Sequence, residues 1–240
     1  MSRSEGTDRK LGSVSTKRGV DRQPTHRGRV VARVYRRLLA DILHGRQPPG
    51  TRVNLPAFAN LYGASTNSIR ETLIHLTSSG LVVRKAMHGF QIAPATQSDL
   101  LEVVKTLGWL EETGIRESIA NSEHHWEERV LAAHRALSQA APEPGLLDKD
   151  LWDECVLSYH EALVSACHSS ILIDQCRALQ QRLLRYRNLA AAGDEQDEAR
   201  RLILSTRDAI LRRDGAYAVE LLRTYYKRTT DAILASGAVS

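Results

Sequence analysis

At 240 residues, the chain has room for one large domain or two modest ones with proper cores. Hydrophobic content of 42% and charged content of 25% are ordinary for a globular protein, and no apolar run approaches the roughly 20 residues of a membrane helix. The net charge of +5 hides an asymmetry: residues 1–28 carry seven Lys/Arg against three Asp/Glu, residues 29–95 nine against two, and residues 96–240 seventeen against twenty-three. A compact basic module joined to an acidic one fits a nucleic-acid-binding head on a ligand or dimerisation body. The N-terminus has no apolar signal core, which predicts a cytoplasmic protein without a membrane partner. Cys155, Cys167 and Cys176 lie in apolar stretches without CxxC or Cys/His zinc spacing, which predicts buried free thiols.

Residues 1–28 are rich in Arg, Lys, Ser, Thr and Gly, show no period, and are predicted to form a disordered basic arm. Over 29–44, Val30, Val34, Leu38 and Ile42 recur every four residues, with Val31 and Leu39 widening the stripe, which predicts a helix. Arg29, Arg33, Arg36 and Arg37 surround the stripe, and Gly45 and Pro48-Pro49-Gly50 end it. Arg52-Val53-Asn54 reads as a one-rung strand that pairs with a later hairpin. Leu55, Phe58, Ala59 and Leu61 make a short apolar helix running into Gly63, a residue suited to a left-handed helix end. Ser65 then caps a second helix, on which Ile69, Leu73 and Leu76 share one face. Thr66, Asn67, Ser68 and Arg70 occupy its first turns and point elsewhere, as base-reading groups do in a major groove. An ordinary helical hairpin with a polar N-terminus would have the same residues. The segment from Leu81 to Ala93 decides between them. Leu81-Val82-Val83-Arg84 and Phe90-Gln91-Ile92-Ala93 are β-prone runs around a turn that contains His88 and Gly89. Helix, turn, helix and a basic hairpin make a winged helix.

With its arginine-rich first helix, PPGTRVNLPAFANLYGAS, SIRETLIHLTSSGLV and the HG of the wing, the stretch from about 29 to 95 resembles the GntR family of bacterial transcription regulators. Residues 96–240 resemble the all-helical FCD ligand domain of its FadR-like branch. The resemblance implies a regulator of double-stranded operator DNA. Arg70 would reach a guanine edge or a phosphate, with Ser65, Thr66, Asn67 and Ser68 at the same helix end. On the wing, Arg84, Lys85 and His88 would approach the backbone or minor groove, and Gly89 would let the tip turn. The chain also departs from the family. Thr66 stands where a basic residue is common, Ser68 where proline is frequent, and Pro56 where a polar or basic residue is frequent. Fewer arginines reach the groove floor, so a different operator is expected, with more weight on Asn67 and Arg70.

No β-alternation appears after Ala93. Six helices are predicted over 98–121, 123–140, 149–168, 170–191, 195–213 and 215–236, the first opened by Ser98 or Asp99, which both suit an N-cap and first turn. They are separated at Asn121-Ser122, Pro142-Glu143-Pro144-Gly145, Ser169-Ser170, Gly193-Asp194 and Asp214-Gly215. Stripes such as Leu202, Ile203, Ile210 and Ala218, Leu221, Leu222, Ile233 fit an antiparallel bundle. Arg182, Arg185 and Arg187 are predicted to form a solvated face. The fold class is therefore mainly α: an arm at 1–28, a winged helix-turn-helix at 29–95, and an all-helical body at 96–240 for effector binding and dimerisation.

Many FCD domains hold a divalent metal with Asp-x-x-x-His on one helix and one histidine on each of two later helices. By that resemblance His160 is retained, Val156 replaces the aspartate, Thr206-Arg207 replaces a Glu-His pair, and Tyr225 replaces the last histidine. One ligand position of four remains, so no cofactor or metal is expected. If His160, Arg207 and Tyr225 converge as the resemblance implies, they form a cationic, hydrogen-bonding cavity for an anionic or phenolic effector. The alternative is that Arg207 pairs with a buried acid such as Asp153 or Glu154 and the pocket is closed. No Gly-rich phosphate loop, paired acids at motif spacing or nucleophile elbow occurs, so no enzyme is expected. The leading expectation is a homodimeric transcription regulator, commonly a repressor in the resembled family, modulated by a small molecule. The other is a DNA-binding dimer whose body serves dimerisation alone.

Overall fold

The computed structural model describes residues 26–86, 89–121, 124–140, 149–190 and 195–239. Residues 1–25 of the predicted arm, Met87 and His88 of the predicted wing turn, and the predicted breaks at Ser122, 142–145 and 193–194 lie outside them, whereas His26–Gly28, assigned to the arm by the sequence, open the first helix. Among the described residues the elements run α1 (His26–Leu43), α2 (Leu55–Tyr62), α3 (Thr66–Ser78), β1 (Val82–Lys85), β2 (Gly89–Ile92), α4 (Gln97–Ala120), α5 (His124–Ala140), α6 (Lys149–Val164), α7 (Ser170–Ala190), α8 (Glu195–Leu211) and α9 (Gly215–Ala235).

Local chemistry explains the head. The four-residue repeat of α1 buries Val34, Leu38 and Ile42 against Ile69, Leu73 and Leu76 of α3. Asn54 caps α2 by accepting from the Ala57 N–H, and Gly63 ends it in the left-handed region at φ 59°. There a Cβ would carry a steric cost. Ser65 Oγ accepts from the Ser68 N–H at 3.1 Å and starts α3. β1 and β2 pair antiparallel, with Val82 opposite Ile92 and Lys85 opposite Gly89. The one-rung strand is present as a bridge from Arg52 to Gln91.

The body is a bundle of α4 to α9, in which α8 packs on α9, α5 on α6, and α4 on α7 and α9. Its core includes Leu107, Ile115, Trp126, Tyr159, Leu163, Ile210 and Tyr225. Three expectations are corrected here. The cap of α4 is Thr96, whose side chain accepts from the Asp99 N–H; that places Ser98 and Asp99 inside the first turn. α6 stops at Val164, because the chain turns there and His168 adopts φ 55°. The arginines of α7 do not form a solvated face: Arg185 is 1% exposed and Arg182 pairs with Asp99. All three cysteines are buried and free. Among the described residues no helix is long and apolar enough to cross a membrane.

α4 meets α6 and the start of α7 at Gly114. A Cβ there would lie 2.8 Å from Val164 Cγ1 and 2.9 Å from Leu172 Cδ2. Gly114→Val should therefore destabilise the body by about 1–3 kcal/mol, overriding the gain in helix propensity. A denaturant midpoint equal to wild type would show that these helices separate freely.

Candidate nucleic-acid interface and buried polar site

α3 buries Ile69, Leu73 and Leu76 beneath α1, so its opposite face is turned outward. Thr66, Asn67 and Arg70 lie exposed on that face. Arg70 has no hydrogen bond or ion pair among the described residues, so its guanidinium is available to a partner. Ser65 is exposed but its hydroxyl is engaged as the helix cap. Ser68 departs from expectation. It is 5% exposed, and its hydroxyl lies 3.0 Å from Ser65 Oγ, so it shapes the cap instead of facing outward. On the wing, Arg84 and Lys85 are exposed, Arg84 lies over the Phe90 ring at 5.8 Å, and Gly89 turns at φ 74°.

Two further features escaped the sequence reading. Ile74, 51% exposed, continues the Asn67–Arg70 stripe one turn on. Its position i+4 from Arg70 was the available signal, since an apolar residue outside the buried stripe must face out. Arg27, at the start of α1, pairs with Glu71 of α3 at 2.9 Å. With His26, Asn60, Ser65 and Asn67 it lines an open cleft of about 710 Å3 beside the start of α3. The signal was missing there, because the partner lies 44 residues away in sequence.

Within the body, four helices send polar groups to one point. Glu111 of α4, 1% exposed, accepts from His160 Nδ1 of α6 at 3.0 Å, from Gln180 Nε2 of α7 at 2.7 Å and from the Tyr226 hydroxyl of α9. Gln180 Nε2 also donates to the Tyr226 oxygen at 2.8 Å. Burial, and then the Glu111 carboxylate, push the Tyr226 phenol well above its usual range, which keeps it a neutral donor. Tyr225 packs 5.7 Å from the His160 ring, and burial raises its pKa as well. His160 Nε2 is buried without a hydrogen-bond partner.

The predicted trio is thus only partly assembled. His160 and Tyr225 meet, but Arg207 does not join them. The inward positions of α8 are Ile203, Thr206 and Ile210, and Thr206 bonds the Tyr159 hydroxyl at 2.7 Å. Arg207, one residue and about 100° further round the helix, pairs with Asp208 at the surface. It pairs with neither Asp153 nor Glu154. Asp153 instead accepts from Asn188 at 2.8 Å. Arg207 lines a cleft of about 500 Å3 between α5 and α8 with His134, Arg135 and Ser138. Burial holds His134 below the usual histidine range.

The donors at His160 do not fit the metal of the resembled family. Val156 offers no lone pair, Tyr225 and Tyr226 are neutral phenols, and Glu111 is the remaining anionic donor in contact with His160. Among the described residues no three His, Cys, Asp or Glu side chains converge to hold an ion.

In comparison with known proteins, residues 30–92 match the bacterial regulatory proteins of the gntR family and residues 102–228 match the FCD domain. The chain is 30% identical over 213 residues to the HTH-type transcriptional regulator BphR of Paraburkholderia xenovorans (strain LB400), covering 85% of each protein. It is 27% identical over 204 residues to the HTH-type transcriptional repressor GlaR of Escherichia coli (strain K12), covering 80% of this chain and 90% of that one. Among solved structures, E. coli McbR/YncC superposes with a TM-score of 0.70 at 17% identity, over 85% of this chain and 97% of that one. A GntR transcriptional regulator from Rhodococcus sp. RHA1 superposes with a TM-score of 0.68 at 20% identity, over 85% and 97%. A basic winged head followed by a six-helix body, each matched by sequence and by fold, places this chain in the gntR family as a DNA-binding transcriptional regulator with a C-terminal FCD domain.

Proposed function

We propose that this regulator is a dimeric repressor whose hold on a near-palindromic operator is set by a small anionic effector taken up in the helical body. The two half-sites would lie about one DNA turn apart or less, as two-fold symmetry of a winged-helix dimer requires. The name of the relative GlaR supports repression as the sign. One observation carries the effector: His160 Nε2 is buried with no partner. With Nδ1–H donating to Glu111, Nε2 is left to pair with an incoming polar group, such as the hydroxyl of a hydroxy acid or a phenol. Tyr225 flanks that nitrogen's ring; Arg207 takes no part there. No resident metal is needed for this mode of action.

The dimerisation-only reading also has an observation in its favour. Glu111, His160, Gln180 and Tyr226 bond one another, and the cavity beside Glu111 and Tyr226 measures about 10 Å3, room for about one water. Anisotropy of a labelled operator against a panel of carboxylates, phosphates and phenols separates the two. One class should weaken wild-type binding about tenfold, a typical coupling, and should leave His160→Phe unaffected. If no class shifts wild-type binding, dimerisation alone is the body's role.

A further inference from the structure

The connection between head and body is short, and a single helix grips it. α7 presents Arg182, Arg185 and Tyr186 to residues 93–99. Arg185 Nη1 donates to the Ala93 carbonyl at 2.9 Å, and Nη2 donates to the Pro94 carbonyl at 2.9 Å. Its guanidinium stacks 5.4 Å from the Tyr186 ring. The Tyr186 hydroxyl donates to Asp99 at 2.6 Å, and Arg182 pairs with the same carboxylate. Leu184, between them, is buried within the head's own core. The same helix packs Leu189 against Gly45, just past the end of α1.

Arg185 is an unusual residue for this place. It is 1% exposed, its acceptors are neutral carbonyls, and its Nε has no partner. Burial pulls its pKa below the usual arginine range, a sign of the desolvation it bears. A leucine or methionine would fill similar volume without that cost. What the guanidinium adds is a planar fork that fixes two successive carbonyls in one orientation. Five residues earlier on α7, Gln180 donates to Glu111 in the buried polar site. At 1.5 Å rise per residue the two grips lie about 7–8 Å apart on one rigid rod.

We infer that Arg185 is a positioning residue for operator binding: its fork on the Ala93 and Pro94 carbonyls sets the angle of the winged head on the body, and α7 ties that angle to the Glu111 site. In a dimer this angle fixes the separation of the two α3 helices, and so the half-site spacing that both heads can engage at once. This role rests on the dimeric reading of the protein's function. It governs spacing and leaves the contacts of each head with its half-site untouched.

The test uses the full chain and three duplexes: the palindrome that wild type selects from random sequence, the same palindrome with its halves moved apart by about five base pairs, half a DNA turn, and a single half-site. Light scattering and thermal unfolding accompany each variant. Arg185→Met should keep half-site affinity within about threefold of wild type, lose about tenfold or more on the palindrome, and lose most of the preference for native over altered spacing. Arg185→Lys keeps the charge but can hold both carbonyls only loosely, so it should fall between the two. A merely structural residue would lower all three affinities in proportion. Proportional loss, or an undiminished spacing preference in Arg185→Met, overturns the inference. So does failure of both variants to fold, which would assign Arg185 to stability alone. A wild type indifferent to spacing would remove the dimeric reading and this inference with it, whereas a monomeric Arg185→Met would show that Arg185 serves assembly instead.

Discussion

Replacing Arg70 by alanine should remove most sequence-specific operator binding while helical content and oligomeric state stay unchanged. The side chain lies exposed on the outward face of α3 and has no partner within the described chain, so its loss leaves no buried group unsatisfied. An arginine fork on a guanine edge supplies about 1–3 kcal/mol of discrimination, and a dimer loses it twice, so specific affinity should fall by about 30-fold or more. Two measurements identify the contact. If Arg70 reads a base, affinity for random duplex changes little and the preference at one position of each half-site is lost. If it sits on a phosphate, all duplexes weaken together and the salt slope drops by about one per head. A gel shift showing unchanged operator affinity for Arg70→Ala would remove α3 as the reading helix. Asn67 should show a smaller loss of the same kind, since Thr66 contributes no charge at the neighbouring position.

Truncating Glu111 to alanine should cost the body about 3–5 kcal/mol, the range for breaking a buried charged network by removing one member. The carboxylate accepts from three helices at once: His160 on α6, Gln180 on α7 and Tyr226 on α9. Without it those donors stay buried with their main acceptor gone, and the cost lies there more than in the lost bonds themselves. The melting temperature should fall by about 10 °C. Glu111→Gln keeps the volume and one acceptor oxygen but turns an amide N–H toward the same donors, so it should fall between alanine and wild type. An alanine variant that melts with wild type would mean that water takes the place of the carboxylate without loss and that the four groups do not act as a joint.

How far these sites could be read in advance depends on where each side chain's partner lies. The head was legible. The every-four repeat from Val30 to Ile42, Gly63 at a left-handed helix end, Ser65 capping at 3.1 Å and the two runs flanking Gly89 all depend on neighbours within a few residues. The bundle was legible as six helices among the described residues for the same reason, with Thr96 taking the cap two residues before Ser98 and three before Asp99. Glu111 had a signal that went unused: it falls in register with Leu100, Val103, Leu107 and Ile115, and an acid inside an apolar stripe must find donors.

Thr206 carried the same unused signal: it lies three residues after Ile203 and four before Ile210 in the α8 stripe, which turns Arg207, about 100° further round, outward. Arg185 looks like any charged residue on a helix until the Ala93 and Pro94 carbonyls, 92 and 91 residues earlier, are brought over it. By itself the sequence determined the elements, their order, the basic head and the family, because periodicity, capping and charge are properties of neighbouring residues. Only the tertiary structure decided with whom the buried polar side chains pair, because a buried donor and its acceptor meet across 49 residues for Glu111 and His160 and 115 for Glu111 and Tyr226, separations at which packing sets the pairing.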